Sequence, residues 1–232
     1  MAESQTRRSI RSYVKRESRM SHAQHRALVE LWPNYGCDLA AVDAPRVLFL
    51  RDALCYLEIG FGNGENLASL AVLHPDCDFL GVEVHRPGVG QCLRLLAEFH
   101  ASNVRVVNAD ILQIIQPAVW NQQLDGIYLL FPDPWPKRRH HKRRLVSASF
   151  IESLGACLKP GGYLYIATDW EPYAAHCIEL LQSQSLLHPA KDPERLPNFI
   201  ARTPTRYEKR GLRLGHPIQE LIYQRDLEQI LT

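Results

Sequence analysis

The sequence predicts a doubly wound α/β domain: a mostly parallel sheet with helices on both faces. Three observations lead there. The chain has 232 residues, 46% of them hydrophobic, which suits one well-buried domain rather than two. From Cys55 onward, short apolar β-like runs alternate with segments of helical period, the pattern of a parallel sheet covered on both sides. The first strand-to-helix junction carries glycines at alternate positions, Gly60, Gly62 and Gly64, where a backbone has to turn sharply.

Taken in order, residues 1–33 read as a basic, partly flexible arm, rich in Arg and Ser and ending near Pro33. Residues 34–232 read as one domain. Strands are predicted at 54–60, 78–84, 104–108, 124–131 and 162–168, each apolar on both faces as a central parallel strand requires. Helices are predicted at Glu65–Leu73, Gly88–His100, Ile111–Val119, Val146–Leu158 and Pro172–Gln184, and Lys159-Pro160-Gly161-Gly162 reads as a helix stop. A late strand is expected around Leu221–Tyr223.

Composition narrows the function classes. No run of about 18 uncharged apolar residues occurs, and the Arg/Ser-rich start lacks the apolar core of a secretory signal; a cytoplasmic protein with no membrane partner is expected. The six cysteines show no CxxC spacing and mostly lie in apolar runs, so they read as buried free thiols. The one histidine pair, His140-His141, lies among cations that would repel a metal ion; no metal is expected. Formal net charge is only +2, yet residues 1–26 hold seven Lys/Arg against two acids, and 137–144 hold six cations and no acid. An acidic scaffold presenting basic surfaces fits a polyanionic partner; two solvated segments would give the same counts.

The loop Leu57-Glu58-Ile59-Gly60-Phe61-Gly62-Asn63-Gly64-Glu65 lets a ligand approach the backbone closely. In pyrophosphate-binding loops the third glycine falls one residue later, and here Glu58 and Glu65 would repel a pyrophosphate. A sulfonium cofactor with an α-ammonium group reverses that preference, which points to S-adenosylmethionine. Glu83 ends the second strand 19 residues after Gly64, where a carboxylate accepts both ribose hydroxyls. Asp110 follows the third strand, suited to the exocyclic amine of adenine. Ordinary explanations exist for each: a basic partner for Glu58, helix N-termini for Glu65 and Asp110, a solvated strand end for Glu83. Their shared place at carboxyl ends of successive strands, where open α/β sheets bind ligands, argues for a site.

After the fourth strand, Phe131 runs into Pro132-Asp133-Pro134-Trp135-Pro136-Lys137. Three prolines stiffen this turn, and it is expected to project Asp133 and Trp135 beside the glycine loop; the alternative is Trp135 as a core plug. The cations Arg138, Arg139, Lys142, Arg143 and Arg144, with His140 and His141, follow at once, so flanking phosphates of a nucleic acid would meet them. An S-adenosylmethionine enzyme acting on a small molecule, an RNA-binding protein with a vestigial cofactor fold and, least well, an NAD oxidoreductase stand as alternatives at this point.

Four segments, Glu58–Glu65, Phe131–Lys137 with its basic tail, Thr168-Asp169-Trp170-Glu171 and Thr205-Arg206-Tyr207-Glu208, closely resemble the bacterial tRNA (guanine-N7-)-methyltransferases. The resemblance starts at Arg11-Ser12-Tyr13-Val14 and Arg19-Met20-Ser21, includes Trp32-Pro33 and ends in Gly215-His216-Pro217-Ile218. Asn63 in the glycine loop and Lys15-Arg16-Glu17 in the arm depart from the pattern without touching its functional positions. The resemblance implies a seven-stranded Rossmann-like methyltransferase sheet, S-adenosylmethionine as cofactor and tRNA as partner, in a monomer or homodimer. It implies methylation of guanosine N7 at position 46 of the variable loop. Glu58, Glu83, Asp110 and Asp133 then face the cofactor, with Asp133 also catalytic; Lys137, Asp169, Thr205, Arg206, Tyr207 and Glu208 contact the substrate; Arg139, His140, His141, Lys142, Arg143 and Arg144 face RNA. Read alone, Asp169 also suits a helix N-cap, and Thr205–Glu208 a surface helix start.

Overall fold

The computed structural model describes residues 20–38, 45–213 and 215–227; for 206, 207 and 210 it describes the backbone only. The motif residues Arg11–Val14 and Arg19 and the departure at 15–17 lie outside the described residues. Seven strands form one sheet: β1 (Leu54–Ile59), β2 (Cys77–Val82), β3 (Val104–Val107), β4 (Leu124–Leu130), β5 (Leu158–Thr168), β6 (Leu187–Pro189) and β7 (Gln219–Arg225). Their spatial order is β3-β2-β1-β4-β5-β7-β6, parallel from β3 through β5, with β7 antiparallel to both neighbours. The chain reverses its winding direction between β1 and β4, and that switch point opens the cleft in which such sheets bind ligands.

Helices α3 (Glu65–Leu73), α4 (Arg86–Glu98), α5 (Ile111–Ile114), α6 (Ala148–Cys157) and α7 (Glu171–Gln182) connect the strands. Alternate strand residues feed two apolar layers. Leu57, Leu80, Leu129 and Ile166 pack with Phe150, Leu154 and Tyr173 on one face, while Tyr56, Phe79 and Tyr128 pack with Leu67, Leu70 and Leu93 on the other. All six cysteines are free and buried. Among the described residues no helix is long and apolar enough to cross a membrane.

Several elements differ from the sequence expectation. Within the stretch read as an arm, α1 (His22–Glu30) starts at a reciprocal cap: Gln24 N–H donates to Ser21 Oγ and Ser21 N–H to the Gln24 side chain. It packs on α4 so closely that a Cβ on Gly90 would lie 2.7 Å from the Gln24 carbonyl oxygen, and α2 (Trp32–Tyr35) follows. The helix expected over Ile111–Val119 ends at Ile114, because Pro117 removes an amide donor and disfavours helix at Gln116. The helix stop after Cys157 holds, but Leu158 onward is already strand, joined to β4 through an irregularity in register.

The second face carries an aromatic cluster that shapes the route to the site. Tyr56 and Tyr128 donate their hydroxyls to the carbonyls of Asn198 and Ile200, each at 2.7 Å, and Tyr163 accepts the Ile200 N–H at 3.1 Å. Gly126 leaves room for this: a Cβ there would stand 2.8 Å from both Tyr56 and Tyr163. These strand tyrosines tie down the chain that leads into α8 (Arg206–Arg213).

Candidate active site

A cavity of about 910 Å³ opens at the carboxyl ends of β1, β2 and β4. Glu58, Gly60, Gly62, Glu83, Asp110, Asp133 and Thr205, all singled out from sequence, line it together.

The glycine loop forms one wall. Gly60, Gly62 and Gly64 have φ of 73°, 60° and 79°, a conformation that costs a side-chain-bearing residue about 1–2 kcal/mol. Gly64 lies behind the cavity rather than on it, where a Cβ would meet Cys92 Sγ at 2.3 Å. Gly88 carries the matching demand, since a Cβ there would come within 2.3 Å of the Gly62 carbonyl oxygen, so α4 abuts the loop backbone.

Two buried carboxylates flank the loop. Glu83, 7% exposed, accepts the N–H groups of Gly62 and His85, each at 2.8 Å. Burial raises its carboxyl above the ordinary value, and those backbone donors partly offset the rise. Glu58 is 3% exposed and accepts Asn66 Nδ2 at 3.0 Å. Burial pushes it up to about 7, the Asn66 bond opposes this and the nearby Glu83 adds to it. A carboxyl this poorly compensated favours a cationic neighbour. Asp110 lines the cavity and also N-caps α5, accepting Leu112 N–H at 3.1 Å, so the ordinary role and the ligand-facing position coexist.

The Pro-rich turn forms the opposite wall. Phe131 and Trp135 bracket it with φ of 51° and 45°, conformations that persist in bulky residues only when the surroundings enforce them. Asp133 is exposed at the cavity rim. Trp135 does not project with it: the ring is buried, edge-on to His140 and covered by Arg143 at 4.9 Å. It is the plug under the basic segment.

That segment is a 3-10 helix over Arg138–Arg143, with Lys137, Arg138, Arg139, His141, Lys142 and Arg143 exposed and His140 half-buried. Its cations are not equivalent. Arg143 stacks on Trp135, whereas Arg144 donates Nε to the Pro134 carbonyl at 3.0 Å and lies over Tyr173, clamping the turn. Partial desolvation and the charges of Arg139 and Arg143 hold His140 below its ordinary pKa.

The third wall comes from the C-terminal part of the chain. Thr205 and Glu208 cap α8 reciprocally, Glu208 N–H to Thr205 Oγ1 and Thr205 N–H to Glu208 Oε2, both at 3.2 Å. The helix-start reading and a cavity-facing Thr205 therefore both hold. Glu208 is held by the Arg202 guanidinium, which lowers its pKa. The side chains of Arg206 and Tyr207 lie outside the described ones. Asp169 does not cap α7, whose N-cap is Trp170 without a side-chain bond; it sits against Gly211 of α8, with His216 Nδ1 at 3.9 Å. Lys137, Asp169 and Glu208 lie outside the cavity lining.

Three contributions escape sequence reading. Arg202 pairs with Glu208 and Glu220 and lies over Phe131 and Tyr165, each ring centroid at 5.8 Å, bracing the Pro-rich turn from below. Asn66 bonds Glu58 on one side and Thr203 on the other. Lys209 and Arg213, one helical turn apart on α8, bring cations to a cavity whose other Asp, Glu, Lys and Arg residues are all acids. Only the last pair carries a local signal, its spacing of four. Among the described residues no group of three His, Cys, Asp or Glu could hold a metal ion.

A family model described as "Putative methyltransferase" matches residues 52–221. The chain is 45% identical over 222 residues to the tRNA (guanine-N(7)-)-methyltransferase of Alkalilimnicola ehrlichii, covering 94% of each chain. It is 46% identical over 220 residues to the protein of the same name from Neisseria meningitidis serogroup C / serotype 2a, covering 94% of this chain and 92% of the relative. Among solved structures, a variant of the 16S rRNA (adenine(1408)-N(1))-methyltransferase from Catenulisporales acidiphilia superposes with a TM-score of 0.54 at 16% identity, covering 82% of this chain and 92% of that one. At that identity the likeness bears on the fold, which is that of the Rossmann-like methyltransferases.

Proposed function

The chain belongs to the tRNA (guanine-N(7)-)-methyltransferase family, and from that membership we infer that it transfers the methyl group of S-adenosylmethionine to N7 of a guanosine in tRNA, forming 7-methylguanosine. We place the modified guanosine at position 46 of the variable loop and the reaction in the cytoplasm, with a monomer or homodimer as the working form. Residues 34–232 act as one methyltransferase domain, on which α1 packs through α4, and the basic charge of the arm serves the polyanionic tRNA.

The observation that carries the assignment of the cofactor side is the buried, undercompensated Glu58 beside a left-handed glycine loop. A cavity of about 910 Å³ is ample for a nucleoside-sized ligand. When bound, S-adenosylmethionine supplies a methyl group on a positively charged sulfur. Glu58 offers the charge that a cationic ligand needs, Gly60 and Gly62 allow close backbone approach, Gly64 keeps α3 against α4, Glu83 accepts ribose hydroxyls and Asp110 an exocyclic amine. Guanine N7 carries an in-plane lone pair, so no residue has to remove a proton before attack. The protein's task is alignment, which supplies up to roughly 7–11 kcal/mol in well-oriented systems. Asp133, at the rim between the two ligand sides, orients the base or the cofactor and stabilises the positive charge that the purine gains. Thr205 faces the base from the cap of α8, and Asp169 and Glu208 hold that helix in place. Lys137, Arg139, His140, His141, Lys142 and Arg143 meet the phosphates, and Arg144 secures the turn that aims Asp133.

The deciding experiment is incubation of unmodified tRNA with the protein and methyl-labelled S-adenosylmethionine, followed by mapping of the label. Label on N7 of guanosine 46 is expected. Label on free nucleosides and none on tRNA would favour a small-molecule enzyme, and no binding of S-adenosylmethionine by calorimetry would favour a binding module.

A further inference from the structure

Asn66 links the two ligand sides through one buried amide. Its Nδ2 donates to Glu58 Oε2 at 3.0 Å, and its Oδ1 accepts from both the N–H and the hydroxyl of Thr203, at 2.8 and 3.1 Å. Asn66 is 2% exposed. Its orientation follows from donor and acceptor chemistry: a backbone N–H can only donate, so the amide oxygen faces Thr203 and the NH2 group is left for the carboxylate. The three residues come from β1, α3 and the stretch before α8. Thr203 sits between Ile200, which the tyrosine hydroxyls anchor, and Thr205, which starts α8 and lines the cavity.

We propose that Asn66 is a positioning residue that couples cofactor binding at Glu58 to the placement of Thr203–Glu208 over the substrate side of the cavity. The proposal rests on the assignment of Glu58 to the cofactor made above. A cation beside Glu58 favours its ionised form, and an ionised carboxylate draws a stronger hydrogen bond from the Asn66 amide than a neutral one does. An amide polarised at its NH2 group accepts more strongly at its oxygen, so the hold on Thr203 tightens in step. Coupling of this kind is reciprocal: tRNA that settles α8 also favours cofactor retention.

Amide hydrogen exchange at Thr203, followed in the intact protein without tRNA, reads the link directly. Saturating S-adenosylmethionine is expected to slow that exchange by about fivefold or more in the wild type. In Asn66→Ala the slowing disappears at saturation, and the KM for tRNA rises about fivefold with a smaller change in kcat. Thr203→Val is the milder break, removing the hydroxyl donor while keeping the backbone one, and it covers the case that Asn66→Ala does not fold. It should reduce the response while leaving cofactor affinity near wild type. Wild-type slowing in Asn66→Ala, or in Thr203→Val where Asn66→Ala does not fold, or no slowing in the wild type, overturns the proposal. Glu58→Gln separates the premise from the link: wild-type cofactor affinity in that variant defeats the Glu58 assignment, whereas weakened affinity there with an intact response in Asn66→Ala defeats the coupling alone.

Discussion

Replacing Glu58 with Gln removes a buried charge while keeping the side chain's shape. Burial lifts the Glu58 carboxyl from an ordinary 4.5 to about 7, with Glu83 adding to the rise and the Asn66 bond opposing it. Between those values the folded chain holds a proton that the unfolded chain has lost. The stability present below about pH 4.5 is therefore lost as pH rises through about 7. At about 1.4 kcal/mol per pH unit, that interval makes the cofactor-free protein about 3 kcal/mol less stable at pH 8 than it would be with Glu58 neutral. Gln has no charge to lose, and its Oε1 can still accept Asn66 Nδ2. Without cofactor, Glu58→Gln should then be the more stable protein at pH 8, by about 6–12 °C in Tm for a chain of this size, and close to wild type at pH 5. Adding S-adenosylmethionine should nearly close that gap, because a ligand at 100 times its Kd stabilises the wild type by about 2.7 kcal/mol and the variant far less. Calorimetric melts at both pH values, with and without cofactor, supply all four comparisons. A cofactor-free variant that melts below wild type at pH 8, or a gap that ignores pH, would refute the reasoning by showing the ionised carboxylate already compensated.

Asp133→Ala should reduce methyl transfer by about 10²–10³ with Tm nearly unchanged, since Asp133 is exposed; full activity in single-turnover assays would remove it from the chemistry. Gly60→Ala meets nothing within 4 Å, whereas Gly64→Ala drives a Cβ to within 2.3 Å of Cys92 Sγ. Denaturant unfolding should show a cost of about 1–2 kcal/mol for Gly60→Ala and a further 1–3 kcal/mol for Gly64→Ala; equal costs would contradict the close approach of α3 and α4. For tRNA binding, Arg139→Ala and Lys142→Ala should each flatten the plot of log affinity against log salt by about one unit. Arg144→Ala should mainly lower kcat through a loosened Pro-rich turn, and an equal loss of salt slope there would reassign Arg144 to phosphate.

The parts of the fold legible in the sequence are those fixed by short-range pattern. Strands β1 to β4 announce themselves as largely apolar runs, each with a single charged residue, because both of their faces are covered. The glycine loop is equally plain, since few other residues take its φ values. Strand β6 escapes because it is three residues long with His188 and Pro189 exposed, leaving no alternation to read. Helix α1 escapes because its Ser21–Gln24 cap sits in a basic stretch and its burial depends on α4. At the site, the carboxylates at strand ends were readable from topology, whereas Asn66 and Arg202 were not: each acts on partners that folding alone brings near. Thr203 is 137 positions from Asn66, and Glu220 is 18 from Arg202, separations no local pattern encodes. Trp135 shows the reverse case, an aromatic in the Pro-rich turn that serves as the floor beneath the cations.

The site has to admit a cation and a polyanion through one opening, and the arrangement of charge separates them. Glu58 and Glu83 are buried at the floor, where a small cationic ligand loses little attraction to screening. The same charges oppose any phosphate that would enter to that depth. The cations stand at the rim: the 3-10 helix beyond the Pro-rich turn, and Lys209 and Arg213 on α8. On that pattern of charge a polyanion is favoured across the mouth and disfavoured inside it. The cavity is also framed by Phe131 and Pro132 on one side and Thr205 on the other. Arg202 braces both, through Phe131 and through Glu208. The two most deeply buried acids of the cavity, Glu58 and Glu83, thus lie apart from its exposed cations, and Arg202 fixes the walls between them.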